Sequence, residues 1–269
     1  MADPLIQFKD ISKRYGKHLI LNNLNFTINE KDIYGIIGLS GSGKTTILNL
    51  MIGFIKPTQS IPSFKTKNVL KYQKEVQENF GFVTQAGSYY LNLSIMENLH
   101  YFGRMYGLNK DNIAKKSKEL LSFLDLDDAK FKLANELSTG MQRRLDIACA
   151  LIHEPTVLIL DEPTEDLDPV LRKEILALLK MINDNGTTIV LTSHMLEEVE
   201  SICNNIAILH NGNILVSGSS NKIKDLYSTN IEIHLKTFPG KYEVIEKRLG
   251  KKDVTKVVNK GHKLVIYTS

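Results

Sequence analysis

Two cysteines in 269 residues, Cys149 and Cys203, stand in no C-x-x-C or zinc-like spacing, so neither a disulfide framework nor a metal cluster is expected and a reducing compartment is. Long hydrophobic runs are missing as well. The longest nearly apolar stretch, Ile47 to Ile55, includes Asn49 and is about half of the ~20 residues that a bilayer-spanning helix needs. The N-terminus carries no basic-then-apolar signal pattern, and there is neither an internal repeat nor a low-complexity tract. With 42% hydrophobic and 24% charged residues, the balance is that of a globular chain. Disordered, fibrous and membrane-spanning classes are excluded, and a soluble cytoplasmic chain of one large domain or two small ones is predicted.

The net charge of +4 is unevenly placed, because residues 229–269 hold nine Lys/Arg against four Asp/Glu, making the tail +5 and the body −1. That asymmetry suggests a small separate module with a basic face, although short clusters of this kind more often serve solvation. No nucleic-acid partner is expected.

Short β-branched runs alternate with longer helical patterns: Leu5 to Ile11, Ile33 to Ile37, Val157 to Leu160 and Thr188 to Leu191 read as strands, Lys44 to Gly53 and Leu171 to Asn183 as helices. The alternation predicts an α/β domain on a mixed, largely parallel and buried sheet. From Ser94 to Ala150 strand signals vanish, and Leu99, Phe102, Met105 and Leu120, Leu121, Leu124 recur at helical spacing, which predicts a helical insertion spanning about 88–153. Asn211-Gly212 between Ile206 to Leu209 and Ile214 to Val216 is a type I′ hairpin signal. Beyond Ser228-Thr229-Asn230 the tail reads as strand at Ile231 to Leu235, helix around Tyr242 to Leu249, then strands at Val254 to Val258 and Leu264 to Tyr267. The expected division is therefore 1–228 for the main domain and 229–269 for a small β-α-β-β appendage.

The run Gly38-Leu39-Ser40-Gly41-Ser42-Gly43-Lys44-Thr45-Thr46 follows the strand Tyr34 to Ile37 and opens the helix from Lys44. It is G-x-x-x-x-G-K-S/T in the strand-loop-helix setting that the motif requires, the signature of a P-loop NTPase. The glycines let backbone N–H groups turn inward around a β-phosphate, the helix start adds partial positive charge, and Lys44 reaches the β and γ oxygens. Thr45 then offers its hydroxyl to Mg²⁺. The guanine-reading N-K-x-D is absent, which disfavours a GTPase. Downstream, the apolar strand Thr156 to Leu160 ends in Asp161-Glu162. Asp161 is placed to hold Mg²⁺ through water. Glu162 is placed to accept a proton from the attacking water.

These residues resemble one family, the ATP-binding cassette ATPases, in order as well as content. Leu137-Ser138-Thr139-Gly140-Met141 before Gln142-Arg143-Arg144 is similar to the family's signature sequence; Gln85 in Phe82-Val83-Thr84-Gln85 to its Q-loop glutamine; His194 after Ser193 to its switch histidine. Tyr15 resembles the aromatic that stacks on adenine, and Leu167-Asp168 the end of the D-loop. Taken singly, Tyr15 is more often an exposed turn aromatic, Gln85 a strand-end hydrogen bonder, His194 a helix-cap or loop histidine and Ser138 an ordinary N-cap. The resemblance covers about residues 4–228. It implies ATP and Mg²⁺ as cofactors, with Tyr15, Gly38 to Thr46, Ser138 and Gly140 on the nucleotide, Thr45, Gln85 and Asp161 on the metal, and Glu162, His194 and Gln85 in hydrolysis. It also implies a second cassette, the same chain or a related one, whose Ser138 and Gly140 close the site head to tail.

The L-S-x-G-M form and the run Leu93 to Gly107 are most similar to ATPases of ABC-2 type exporters. That implies a separately encoded membrane-spanning permease, which would hold the chain at the inner face of the cell membrane. Thr139, Met141, Glu165 and Asp166 depart from the family pattern, and Gln59 to Asn68 replace a usual glycine-containing hairpin, so irregular pairing is expected there. The carboxylates at Glu165 and Asp166 motivate an alternative: a cassette that binds ATP as a switch or scaffold with little hydrolysis. A DNA-maintenance ATPase would instead carry a long coiled coil in place of Ser94 to Glu136, and none is present.

Overall fold

The computed structural model describes residues 4–221, 223, 231–236, 241–242, 244–245, 254–260 and 263–268. The chain opens on two long strands, β1 (Ile6–Tyr15) and β2 (His18–Ile28), paired antiparallel on either side of Gly16. The strand expected over Leu5 to Ile11 thus runs on to Tyr15, and β2 has no counterpart among the sequence expectations. Its alternation is broken where the register shifts, and Asp10 (φ 54°) and Asn23 (φ 49°) take left-handed conformations that short polar side chains tolerate. The Asn25 amide donates to Asp10 Oδ1 at 3.2 Å and pins the irregularity. Two short strands, β4 (Ser63–Phe64) and β5 (Lys67–Asn68), complete this sheet in the order β2-β1-β4-β5. Lys65 (φ 47°) and Thr66 (φ 64°) turn between them without glycine, which costs strain and leaves a hairpin of only two residues per strand.

The second sheet has the order β10-β9-β3-β8-β7-β6: β3 (Ile33–Ile37), β6 (Phe80–Val83), β7 (Val157–Leu160), β8 (Thr188–Ser193), β9 (Asn205–His210) and β10 (Asn213–Ser219). β3 pairs in parallel with both β8 and β9, and β7 with β6 and β8. Every residue of β3, β7 and β8 is buried, as continuous apolar runs require when both faces are covered. Phe8, Phe26 and Tyr34 stack in sequence, at 4.4 and 5.6 Å between centroids, and join the two sheets through one core. Asn211 (φ 46°) and Gly212 (φ 73°) make the β9–β10 turn in the left-handed pair that type I′ demands.

Helix α1 (Lys44–Met51) follows β3, and α2 (Gln73–Asn79), unanticipated because it is short, precedes β6. The helical insertion holds α3 (Ile95–Met105), α4 (Lys110–Phe123) and α5 (Thr139–Leu151). Ser94 and Glu97 close a capping box on α3, Asn109 caps α4 and Ser138 caps α5, which fixes each start. Leu99, Leu121 and Leu124 are buried, but Met105 is 66% exposed, so the apolar spacing over α3 serves a surface as well as a core. Helix α6 (Pro169–Asp184) has Asp168 as N-cap and proline in its first turn, and α7 (Leu196–Ile202) follows β8. Among the described residues no helix is long and apolar enough to cross a membrane.

The chain divides into a compact unit ending at Gly218 and a second beginning at Ser219, earlier than the 228/229 junction expected from sequence. The second unit contains an antiparallel sheet of order β11-β13-β12: β11 (Ile231–Leu235), β12 (Val254–Asn259) and β13 (Leu264–Thr268). Tyr242, Val244 and Ile245 are helical, and Tyr242 packs with Leu264 and Ile266. The rest of the helix expected to Leu249, and the junction at Ser228-Thr229-Asn230, lie outside the described residues.

Candidate functional site

Strand order places four loops at one edge. Gly38 follows β3, Gln85 lies just past β6, Asp161 follows β7 and His194 follows β8, so all four sit at the C-terminal ends of parallel strands, where open α/β sheets bind ligands. The turn from β3 into α1 is tight: a Cβ on Gly38 would meet Leu209 O at 2.7 Å, and Gly43, at φ 109°, faces Leu21. Lys44 is 6% exposed and folds back across the loop, donating to Gly38 O at 2.8 Å and Leu39 O at 3.2 Å.

The two carboxylates after β7 diverge. Asp161 accepts from Thr45 Oγ1 at 2.7 Å and from Thr192 Oγ1 at 2.6 Å. Glu162 pairs with Lys44 Nζ at 2.9 Å and with His194 Nδ1 at 2.7 Å. Burial raises the Glu162 carboxyl pKa, but hydrogen bonds and charge from Lys44 and His194 outweigh it and hold the group below the ordinary glutamate value. Its backbone sits at φ 50°, a left-handed conformation costing on the order of 1–3 kcal/mol for a non-glycine residue, held in part by Glu162 N–H donating to Thr192 Oγ1 at 3.0 Å. Thr192 thus braces the Asp161 carboxylate and the Glu162 backbone. Sequence reading did not single it out, since a threonine inside a β-branched strand carries no local signal.

A cavity of about 540 Å³ is lined by the phosphate loop together with Tyr15, Gln85, Glu162, Glu165 and His194. Tyr15, at the end of β1, is 49% exposed on its rim with Lys13 Nζ 4.5 Å from the ring centroid. The Gln85 amide donates to the Glu165 carboxylate, so the departure from the family pattern at Glu165 is engaged with the candidate metal-side residue. Ser138 and Gly140 are not part of this cavity. Ser138 is exposed and caps α5, accepting from Met141 N–H at 3.4 Å, while Gly140 packs against Leu171 of α6.

Residues 21–165 match the sequence model of the ABC transporter family. The chain belongs to that family. A bacitracin transport ATP-binding protein of Bacillus licheniformis is 36% identical over 78% of this chain and 68% of its own length. A Nod factor export ATP-binding protein I of Cupriavidus metallidurans is 34% identical over 82% of this chain and 73% of its own. A linearmycin resistance ATP-binding protein of Bacillus subtilis is 33% identical over 80% and 69%. Among solved structures, cbiO1 of Clostridium perfringens, described as part of the ABC transporter complex cbiONQ, superposes with TM-score 0.77 at 27% identity, over 83% of this chain and 92% of that one. A cassette solved as a dimer in a post-hydrolysis state with ADP and phosphate superposes with TM-score 0.70, also at 27% identity, over 80% and 98%. The chain is thus an ATP-binding, ATP-hydrolysing cassette of the ABC transporter family.

The rim position of Tyr15 yields a first test. Removing the ring with Tyr15→Ala is expected to weaken ATP binding by about 1 kcal/mol, the size of an aromatic contact, while Tyr15→Phe changes little. Equal losses in equilibrium binding of a fluorescent ATP analogue would assign the effect to the hydroxyl, and no loss in either would return Tyr15 to the surface.

Proposed function

We propose that this cassette powers an ABC-2 type exporter, as one of two cassettes that close head to tail over two ATP molecules with Mg²⁺. The observation that carries the reading is the meeting of Lys44, Thr45, Asp161, Glu162 and His194 at the strand ends, with Glu162 2.9 Å from Lys44 and 2.7 Å from His194, and Thr45 2.7 Å from Asp161. In the proposed assignment Tyr15 stacks on adenine, Gly38 to Thr46 hold the phosphates, Glu162 accepts the proton of the attacking water and His194 supports the γ-phosphate. The relatives named for bacitracin transport, Nod factor export and linearmycin resistance support the exporter class.

Thr45 Oγ1, the Asp161 carboxylate and the Gln85 side-chain carbonyl are hard oxygen donors, and the first two already touch, so the residues present fit a magnesium ion. When bound, the ion neutralises phosphate charge as it develops on the leaving group. The chain's own residues do the rest. Lys44 must leave Gly38 O, Leu39 O and Glu162 to meet the phosphates, and in leaving it frees the carboxylate. The Glu165–Gln85 bond favours slower turnover than in cassettes with a small neutral residue at that position, and phosphate release per mole of chain separates a slow ATPase from an ATP-binding switch.

The separately encoded permease would dock on the helical insertion and hold the cassette at the inner membrane face. Tyr90 and Leu91 are 47% and 52% exposed, and Tyr90 packs edge-on against Tyr101, with 3.1 Å between hydroxyls. The Tyr90–Leu91 segment lies a few residues past Gln85, so docking and nucleotide chemistry adjoin. Tyr90→Glu is expected to give folded protein with near-normal basal ATPase and lost co-sedimentation with membranes carrying the permease. Retained co-sedimentation would remove this aromatic patch from the interface.

A further inference from the structure

Helix α5 runs from the exposed cap Ser138 to Leu151 and carries adjacent arginines that point apart. Arg144 reaches Leu124 O at 3.0 Å and Glu174 at 3.1 Å, binding α5 to the end of α4 and to α6. Arg143 goes the other way: its guanidinium donates to Thr84 O at 3.3 Å and to Gln85 O at 3.4 Å, a fork across two consecutive carbonyls of the segment after β6. One turn on, Asp146 accepts from Ser88 N–H at 2.9 Å and lies 3.6 Å from Arg143. Asp146 is 1% exposed. A carboxylate is kept there against its desolvation cost, which pushes its pKa up to about 6 even with the Ser88 amide and Arg143 pulling it down. Neither the phosphate loop nor the cap at Ser138 needs this pair, and the segment it grips, Thr84 to Ser88, contains Gln85.

We propose that Arg143 and Asp146 are positioning residues that fasten the backbone around Gln85 to α5, so that Gln85 in one ATP site and Ser138, offered to the other, are set by a single helix. The arrangement makes α5 a strut between the two sites of a dimer. Displacement of the Gln85 backbone then moves the start of α5, because three hydrogen bonds join them and the Arg143–Asp146 ion pair within α5 links the side chains that make those bonds. The inference rests on the proposed metal-side role of Gln85.

The test compares Arg143→Met, Arg143→Lys and Asp146→Asn with the parent full chain, by backbone hydrogen exchange of the peptide covering 84–89 and by steady-state ATPase. Arg143→Met is expected to speed exchange in that peptide roughly tenfold, through loss of its two carbonyl bonds, while the α1 and β3 peptides stay unchanged. The kcat should fall about tenfold and the KM for ATP stay within about twofold, because the phosphate loop is untouched. Arg143→Lys, a point charge without the fork, should lie between, and Asp146→Asn should keep the Ser88 bond and lose only the ion pair. Should Arg143→Met prove insoluble, Arg143→Lys carries the same comparison. Unchanged exchange at 84–89, or exchange rising equally along α3, α4 and α5 with a raised KM, overturns the proposal and leaves a structural pair. Gln85→Ala separates the two readings. Normal turnover in Gln85→Ala overturns the role of Gln85 itself, whereas inactive Gln85→Ala beside a loosened segment with unchanged kcat overturns the strut alone.

Discussion

Glu162→Gln is expected to hold ATP and lose turnover by ~10²-fold or more, the size of a general-base contribution. The change keeps shape and hydrogen-bonding reach and removes the charge. In the structure the Glu162 carboxylate is shared between Lys44 at 2.9 Å and His194 at 2.7 Å, and both partners hold its pKa down against burial. A carboxylate so held is ionised at neutral pH but weakly basic. When a triphosphate draws Lys44 away, one of the two causes of the lowered pKa is lost and negative charge arrives nearby, so the group becomes a stronger base once substrate is bound. The neutral glutamine also gives up its ion pair with Lys44, freeing the ammonium for the phosphates, so ATP affinity is expected to hold or rise. Single-turnover phosphate release alongside equilibrium ATP binding checks both halves. Unchanged turnover assigns the base to another group, and lost binding means that the ion pair shapes the cradle instead.

How far this site was legible depends on what each residue needs from its neighbours. The cradle Gly38 to Thr46 is read directly, because its backbone must turn tightly between a strand and a helix and the sequence carries that geometry locally. Asp161 and Glu162 are read from their place at the end of an apolar strand, and their divergence, one toward Thr45 and the other toward Lys44, follows from adjacency. Thr192, Arg143 and Asp146 escape such reading. Each acts through partners far along the chain, Thr192 on Asp161 and Arg143 on Thr84, and no spacing rule marks those pairs. The same cause hides β2, whose alternation is broken at Asn22 and Asn23 and whose identity as a strand comes from pairing with β1. A buried network of the same kind lies beside His194: Glu198 accepts from Thr164 at 2.6 Å and Ser193 at 2.9 Å and faces Arg172 Nε at 3.2 Å, tying the turn after Glu162 to the switch segment.

Ser138→Arg is expected to abolish ATP-dependent pairing of chains without disturbing ATP binding to the single chain. The reason lies in the separation of the two phosphate-ready helix starts: α1 opens on the cavity with Lys44 and Thr45, whereas Ser138 is exposed and has no part in that cavity. In the proposed closure the exposed start of α5, with the Ser138 hydroxyl proton and the first backbone N–H groups of the helix, serves the γ-phosphate held by a second cassette. Arginine at an N-cap also places a cation where the helix dipole already puts partial positive charge, and its bulk blocks the approach of a second chain.

With a second copy of this chain as the other cassette, the proposed head-to-tail closure requires that ATP join two of these chains. The most direct measurement is the molar mass of the Glu162→Gln protein by light scattering with Mg²⁺ and ATP. The expected result is a mass about double the 30.4 kDa chain, returning to 30.4 kDa when ATP is removed or when Ser138→Arg is added. A mass of 30.4 kDa with ATP demonstrably bound, or a dimer indifferent to Ser138→Arg, would contradict it.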